Sequence, residues 1–425
     1  MIYLNQDFER ERERELKVLS YKPSNKSNKG FTLVELLIVI SILAALAAAV
    51  VVVINPAEML RQGRDSTRMR EIGTLHRAIS MLRIDTPAAP LGSSNTIHVS
   101  IPDTSTTCDN LGLPTPPPGW VYRCVSAANL RNINGTGWIP IDFTVMPRGS
   151  PLASLLIDPV NTVASSNFYV FVTDGRTWAL ASLMESERHA PAAARDGGTD
   201  AARFEAGTNL SLWTSASGLV GYWSFDEGAG TTARDLSGRG NTGTLVNNPT
   251  WVEGRVGRAL SFDGINDHVE IGDRPTLNFH GTQPFTIEAW VRPAVANHAG
   301  AIVGRMNLGI IGQYHFELIT GRIRMAREVS PGTFITGATV LTANTWHHVV
   351  GTYDGSHTRL FLNGSLDTIP IASSSIPNNN IRVFIGALLS HGSLAIFFNG
   401  LIDEVRIHNR ALTEAEIRAS FNATR

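Results

Sequence analysis

One carboxylate lies inside an oily run. Residues 31–54 read FTLVELLIVISILAALAAAVVVVI, and Glu35 is their only charged side chain. A lone charge at membrane depth costs on the order of 2.5–3.5 kcal/mol by insertion scales, so it calls for a cationic partner. Proteolysis can make one. A cut between Gly30 and Phe31 keeps the apolar run on the mature chain and creates an α-amino group at Phe31. In a helical stack of subunits, Glu35 of one chain can then neutralise the N-terminus of its neighbour. The competing reading is a Glu that snorkels to the membrane face of an ordinary single-pass anchor.

Cys108 and Cys124 are the only cysteines, and no CxxC or Cys/His metal spacing accompanies them. In a segment expected outside the cell they suggest one disulfide, worth about 3 kcal/mol in the chain-entropy model. Two unpaired thiols are the alternative. All four lysines, Lys17, Lys22, Lys26 and Lys29, precede residue 30. Removing that segment leaves a lysine-free chain, which argues against Lys–Asn isopeptide cross-links. No LPxTG-like sorting motif is present.

The elements that carry these residues follow from length and pattern. A chain of 425 residues is long enough for two or three domains. Its net charge of -1 gives no bulk electrostatic case for nucleic-acid binding. Residues 31–54 are long enough to cross a hydrocarbon core of about 30 Å as a helix. Seven Lys/Arg lie between Arg10 and Lys29, against Arg61, Arg64, Arg68 and Arg70 downstream, which puts the N-terminus in the cytoplasm. A secretory signal would place its cleavage site after the apolar core; here the order is inverted. Pro56 should kink or melt the helix near Val52–Asn55. Beyond it, Ile72, Leu75, Ile79 and Leu82 recur at helical spacing, with the arginines mostly on the solvated face.

Gly30-Phe31-Thr32-Leu33-Val34-Glu35, followed by a Leu/Ile/Val/Ala helix, resembles the type IV prepilin processing motif, which also occurs in type II secretion pseudopilins. The resemblance implies cleavage between Gly30 and Phe31 by a prepilin peptidase and N-methylation of Phe31. It also implies assembly with other pilin or pseudopilin subunits through Glu35, and residence in the inner membrane beforehand. Residues 1–30 are then the leader, 31–54 the transmembrane and assembly helix, and 55–215 a small α+β pilin-like head.

Within the head, Pro114 and Pro116 to Pro118 mark a loop. Strand-like runs follow at Trp138–Val145, Phe168–Val172 and Thr177–Ser182; the last two flank Asp174-Gly175, a two-residue hairpin signal. Asp158-Pro159 reads as a turn in preference to a calcium site. Residues 187–217 are rich in Ala, Gly, Thr and Asp and read as a connection.

From Leu219 onward, short strands and turn signals alternate, which indicates an all-β sandwich or jelly roll. Thr413-x-x-Glu416 is a capping box for a closing helix. The blocks Tyr222-Trp223-Ser224-Phe225-Asp226-Glu227-Gly228, Ala259-Leu260-Ser261-Phe262-Asp263-Gly264, Trp346-His347-His348-Val349 and Ile402-Asp403-Glu404-Val405-Arg406-Ile407 occur in order. Together they resemble a LamG-like member of the concanavalin A-like lectin/glucanase superfamily over 216–425. That resemblance implies two curved antiparallel sheets, first and last strands paired, and one structural Ca2+. Asp235, Asn241 and Asp403 are the oxygen donors expected for it; turn capping would explain them equally. Trp223, Trp290 and Trp346 are expected in the core, and His347 and His348 on opposite faces of one strand.

Hydrolases on this scaffold need two suitably spaced carboxylates. The E-x-D-x-x-E strand motif of laminarinase-like enzymes is absent, as are G-x-S-x-G, HExxH and P-loop motifs. Glu288 stands alone on its strand, and Asp403 and Glu404 are expected to face opposite ways. The expectation is therefore a non-enzymatic pilin-like subunit, minor because of its bulk, that ends in an extracellular filament and displays a domain for a glycan or protein ligand. A major pilus subunit and a membrane-anchored carbohydrate-active enzyme are the alternatives.

Overall fold

A computed structural model describes residues 32–425, except 115, 118, 199, 310, 328–333, 374 and 425. Gly30 and Phe31 lie outside the described residues. The chain divides into two compact units, Met1–Pro56 and Ala57–Arg425.

In the first unit, helix α1 spans Leu33–Ile54. It ends where expected: Asn55 takes φ 43°, a left-handed value Asn tolerates, and Pro56 opens helix α2, Pro56–Asp85. Among the described residues no helix is long and apolar enough to cross a membrane.

The second unit begins with the head. Ile72, Leu75, Ile79 and Leu82 on α2 are fully buried, as their spacing predicts. They pack on a five-stranded sheet of order β2-β1-β3-β4-β5. Its strands are β1 (Thr96–Pro102), β2 (Val121–Val125), β3 (Tyr169–Thr173), β4 (Trp178–Leu183) and β5 (Arg203–Gly207). A disulfide joins Cys108 and Cys124 across a Cα distance of 5.3 Å.

Four expectations need correction. Residues 138–145 form no strand; they hold only a bridge, Asn134 to Asp142. Pro140 lacks the amide a ladder needs, and Asp142 turns the chain by accepting Thr144 N–H at 2.8 Å. The β3–β4 hairpin has a four-residue loop, because Thr173 pairs with Trp178 and Asp174 caps the amides of Arg176 and Thr177. The 187–217 stretch is ordered: it supplies helices α3 (Ala190–Ala193) and α4 (Ser211–Ala216), and the edge strand β5 between them. Finally, Arg68 is not on a solvated face. It is fully buried and donates to Asp158 through Nε at 2.6 Å and Nη2 at 3.0 Å, while Nη1 reaches Asp65 and Glu185. Asp158 also accepts the Val160 amide at 2.8 Å, so it is both turn former and counter-ion.

The sandwich consists of a nine-stranded and a ten-stranded sheet. Phe285–Pro293 lies between His347–Tyr353 and Asn399–His408. The opening strand, Leu219–Trp223, pairs with the closing one, Asn399–His408. Alternation sets the faces: Ile287, Ala289 and Val291 enter the inter-sheet core. Trp290 therefore points the other way, over Phe421 of helix α5 (Glu414–Ala423), with its Nε1 on Thr424 Oγ1 at 2.8 Å. Only Trp223 of the three expected tryptophans is fully buried in the core; Trp346 is half-buried and precedes its strand.

Head and sandwich meet at α5. Thr413 and Glu416 form the expected capping box. Glu416 also accepts both terminal nitrogens of Arg410, each at 2.9 Å, and Arg203 Nη2 from β5 at 3.2 Å. Burial alone would raise its pKa, but the Arg410 and then the Arg203 charge hold the carboxyl well below the usual range.

Two stability outcomes follow. Arg68→Met leaves buried carboxylates without a counter-charge and is expected to cost about 3–5 kcal/mol, measured by urea unfolding. Glu416→Gln should cost a similar amount at pH 7. The folded pKa of Glu416 lies below the unfolded one, so its contribution is full above about pH 4.3 and fades as pH falls toward the depressed value. The difference between wild type and Glu416→Gln should therefore narrow in urea unfolding curves below about pH 4.

Candidate functional site

The first candidate site is the start of α1. Thr32 and Glu35 form a second T-x-x-E box. Glu35 Oε2 accepts the Thr32 amide and hydroxyl, each at 2.9 Å, and Thr32 Oγ1 accepts the Glu35 amide at 3.2 Å. The carboxylate is thus held at a helix N-terminus, where orphan amides and the macrodipole favour an anion. The sequence carried this signal in the same spacing as Thr413-x-x-Glu416. Glu35 is exposed, and the apolar side chains from Leu33 to Leu43 around it are exposed too.

The second candidate lies at the closing strand. Between the pairs Glu288–Arg406 and Trp290–Asp403 the register slips, and Glu404 takes φ 54°. This β-bulge breaks the alternation. Ile402 and Val405 both enter the core, so Asp403 and Glu404 are carried together on the other side instead of facing opposite ways. Neither is open to solvent, at 0% and 1% exposure. Glu404 accepts the Tyr222 hydroxyl at 3.2 Å and an Arg406 guanidinium nitrogen. Asp403 Oδ2 accepts the amides of Arg255 and Val256 at 2.8 and 3.0 Å, but its Oδ1 has no hydrogen-bond partner. Burial, then the charges of Glu404 and Asp226, push the Asp403 carboxyl up to about 8.

One feature of this carboxylate is of the kind a hard cation uses. One buried oxygen, Oδ1, is orphaned, while the 254–257 turn closes on the other, Oδ2, too tightly for side chains. A Cβ on Gly254 would lie 2.7 Å from Asp403 Oδ2, and one on Gly257 2.1 Å from Asp226 Oδ1. Asp235 and Asn241 are brought together elsewhere. Asp235 accepts the amides of Tyr222, Ser237 and Asn241 at 3.0, 2.9 and 2.7 Å. Asn241 donates to Val220 O at 2.6 Å and accepts the Thr276 hydroxyl at 3.1 Å. Both act as turn and strand ties. Among the described residues no group of three His, Cys, Asp or Glu converges as a metal site.

The acids are also poorly arranged for hydrolysis. Glu288 is 2% exposed. Burial would raise its pKa, but His348, then Arg406 and the Ser420 hydroxyl lower it to about 2. His347 and His348 part as expected: His347 Nε2 meets Thr342 O at 3.0 Å, while His348 Nε2 lies 3.2 Å from Glu288.

Comparison with known proteins places both ends of the chain. Residues 25–51 match the prokaryotic N-terminal methylation motif, and residues 263–418 match the concanavalin A-like lectin/glucanases superfamily. No curated protein matches. Among solved structures, the binding domain of Paraclostridial Mosquitocidal Protein 1 is 19% identical, with a TM-score of 0.39 over 48% of this chain and 52% of that one. Domain 4 of an extracellular arabinanase from Geobacillus stearothermophilus, in complex with arabinotriose, is 19% identical, with a TM-score of 0.37 over 48% and 97%. The Botulinum neurotoxin serotype G binding domain is 15% identical, with a TM-score of 0.37 over 48% and 50%. The chain spans about half the length of the first and third of these. This protein joins a prokaryotic N-terminal methylation motif to a domain of the concanavalin A-like lectin/glucanase superfamily.

Proposed function

We propose that the protein is a pilin-like subunit, minor in its filament, that displays a lectin-like domain for an extracellular glycan or protein ligand. One observation carries this reading: the methylation motif at 25–51 contains Glu35, held as a ready anion at the start of an exposed apolar helix. Prepilin peptidase cuts between Gly30 and Phe31, the new Phe31 amine is methylated, and Glu35 of a neighbouring subunit receives it. Before assembly α1 is the single-pass anchor in the inner membrane, with the leader in the cytoplasm. Afterwards the chain belongs to a surface filament of the type IV pilus or type II secretion class. Bulk supports the minor role, because a sandwich as large as the head crowds a tightly packed filament. The membrane-anchored enzyme is the weaker reading, since Glu288, Asp403 and Glu404 are closed to solvent.

The calcium implied by the family would need Asp403, the one member of the expected set Asp235, Asn241 and Asp403 with an oxygen left unpartnered. Its chemistry is structural: it would replace the proton that Asp403 otherwise keeps and fasten the 254–257 turn to the closing strand.

Mass spectrometry of the native protein should find a mature chain that begins at N-methylated Phe31. Glu35→Ala should vanish from sheared surface fractions while remaining in the membrane; unchanged shearing would sink the assembly role. Added Ca2+ should raise the melting temperature more at pH 8 than at pH 6, because Asp403 must lose its proton to bind. Asp403→Asn should abolish that shift.

A further inference from the structure

In an Asn-Gly pair the side-chain amide is open to attack by the next backbone nitrogen, because glycine carries no side chain to shield that nitrogen. The chain has three such pairs: Asn134-Gly135, Asn363-Gly364 and Asn399-Gly400. No lysine lies beyond residue 29, so no lysine amine close in sequence competes for these carbonyls.

The fold separates the three. Asn134 is exposed, and its Oδ1 accepts the Thr136 hydroxyl at 2.6 Å and the Thr136 amide at 3.3 Å. This Asx turn folds the side-chain carbonyl back over the peptide that follows it, and both donors draw electron density from Cγ. Asn363 is exposed as well, but its Oδ1 accepts the His348 amide of a neighbouring strand at 2.9 Å. Gly364 after it is buried, and a Cβ there would lie 3.2 Å from Phe421. Asn399 is half-buried, and Gly400 is buried in a ladder between Phe262 and Pro293.

We propose that Asn134 is a self-modifying site that deamidates in the folded protein. The Gly135 nitrogen attacks Asn134 Cγ and forms a bond to it. The Gly135 amide proton passes through water to Nδ2, which leaves as ammonia when its bond to Cγ breaks. Water then opens the cyclic imide at either carbonyl and leaves aspartate or isoaspartate. The net change is water consumed and ammonia released, with no oxidation or reduction. The product places a new carboxylate opposite Asp142, the bridge partner of residue 134, and like charges directly opposed destabilise. Ageing therefore loosens the turn beside the buried Trp138 and Ile139. The site stands apart from the proposed display role, and neither depends on the other.

The test is timed incubation of the full chain in detergent at mildly alkaline pH, folded and in urea. Peptide mass spectrometry and an isoaspartyl methyltransferase read the products. In the folded chain Asn134 should convert at least about 10-fold faster than Asn363 or Asn399, a ratio that needs only about 1.4 kcal/mol of barrier. In urea the three rates should converge. Thr136→Val keeps the amide donor and loses the hydroxyl, and should slow Asn134 several-fold. Asn134→Asp should melt below the wild type at neutral pH. Equal rates at the three sites in the folded chain, a preference that persists in urea, or an unchanged rate in Thr136→Val overturns the proposed site. An unchanged melting temperature in Asn134→Asp overturns the loosening.

Discussion

Glu416 holds the second unit together. It caps α5 through Thr413, pairs bidentately with Arg410 of the sandwich and receives Arg203 of the head's edge strand. Buried ion groups gain little net stability, because each charge loses its hydration. Their force lies in the cost of the alternatives. A head docked one strand position away would leave the Arg203 guanidinium buried without its carboxylate, while the Arg410–Glu416 pair stayed intact. Each such error costs several kcal/mol, comparable with the whole stability of many domains. The network therefore fixes the docking geometry more than it adds to the depth of the well. Arg68 plays the same part inside the head, where it gathers Asp65, Asp158 and Glu185 around one turn of α2.

The sandwich could be read from its sequence because each half-buried strand announces its faces. Ile287, Ala289 and Val291 alternate with Thr286, Glu288 and Trp290, and the core took the first set. The α2 stripe was readable for the same reason, at period 3.6. What escaped were features decided by distant partners. Whether Arg68 faces water depends on Asp158 and Glu185, 90 and 117 positions away. Alternation into the sandwich is expected to carry Trp290 inward, yet the strand's phase sends Ile287, Ala289 and Val291 there and Trp290 to the other face. The outer face was apolar too, since α5 covers it. Strand β5 was missed because Arg203–Gly207 has a composition suited to a connection; its place at a sheet edge comes from its neighbour Trp178–Leu183.

The candidate sites were legible in part. Glu35 was found as a charge out of place, but the spacing that makes it a helix cap was overlooked. That spacing changes the physics. A carboxylate fixed by an amide and a hydroxyl has already lost some of its need for water, so the charge is less costly at depth than the isolated side chain would be. At Asp403, period-2 reasoning failed for a local cause. One extra residue at Glu404 put two acids on one side, and burial, with the neighbouring Glu404 charge, raises the Asp403 pKa.

The two T-x-x-E boxes show one device in two settings. In both, a threonine orients a glutamate at a helix start, so the carboxylate is in place before any cation arrives. At Glu416 the cations belong to the same chain and the contact is permanent. At Glu35 the described residues supply only Thr32, two neutral donors that an ammonium can replace. A charged donor outbids a neutral one at such a site by roughly twofold in hydrogen-bond strength. The exchange therefore runs downhill only when a neighbouring amine is brought to that depth. Until then the box keeps the anion satisfied, as the proposed assembly role requires.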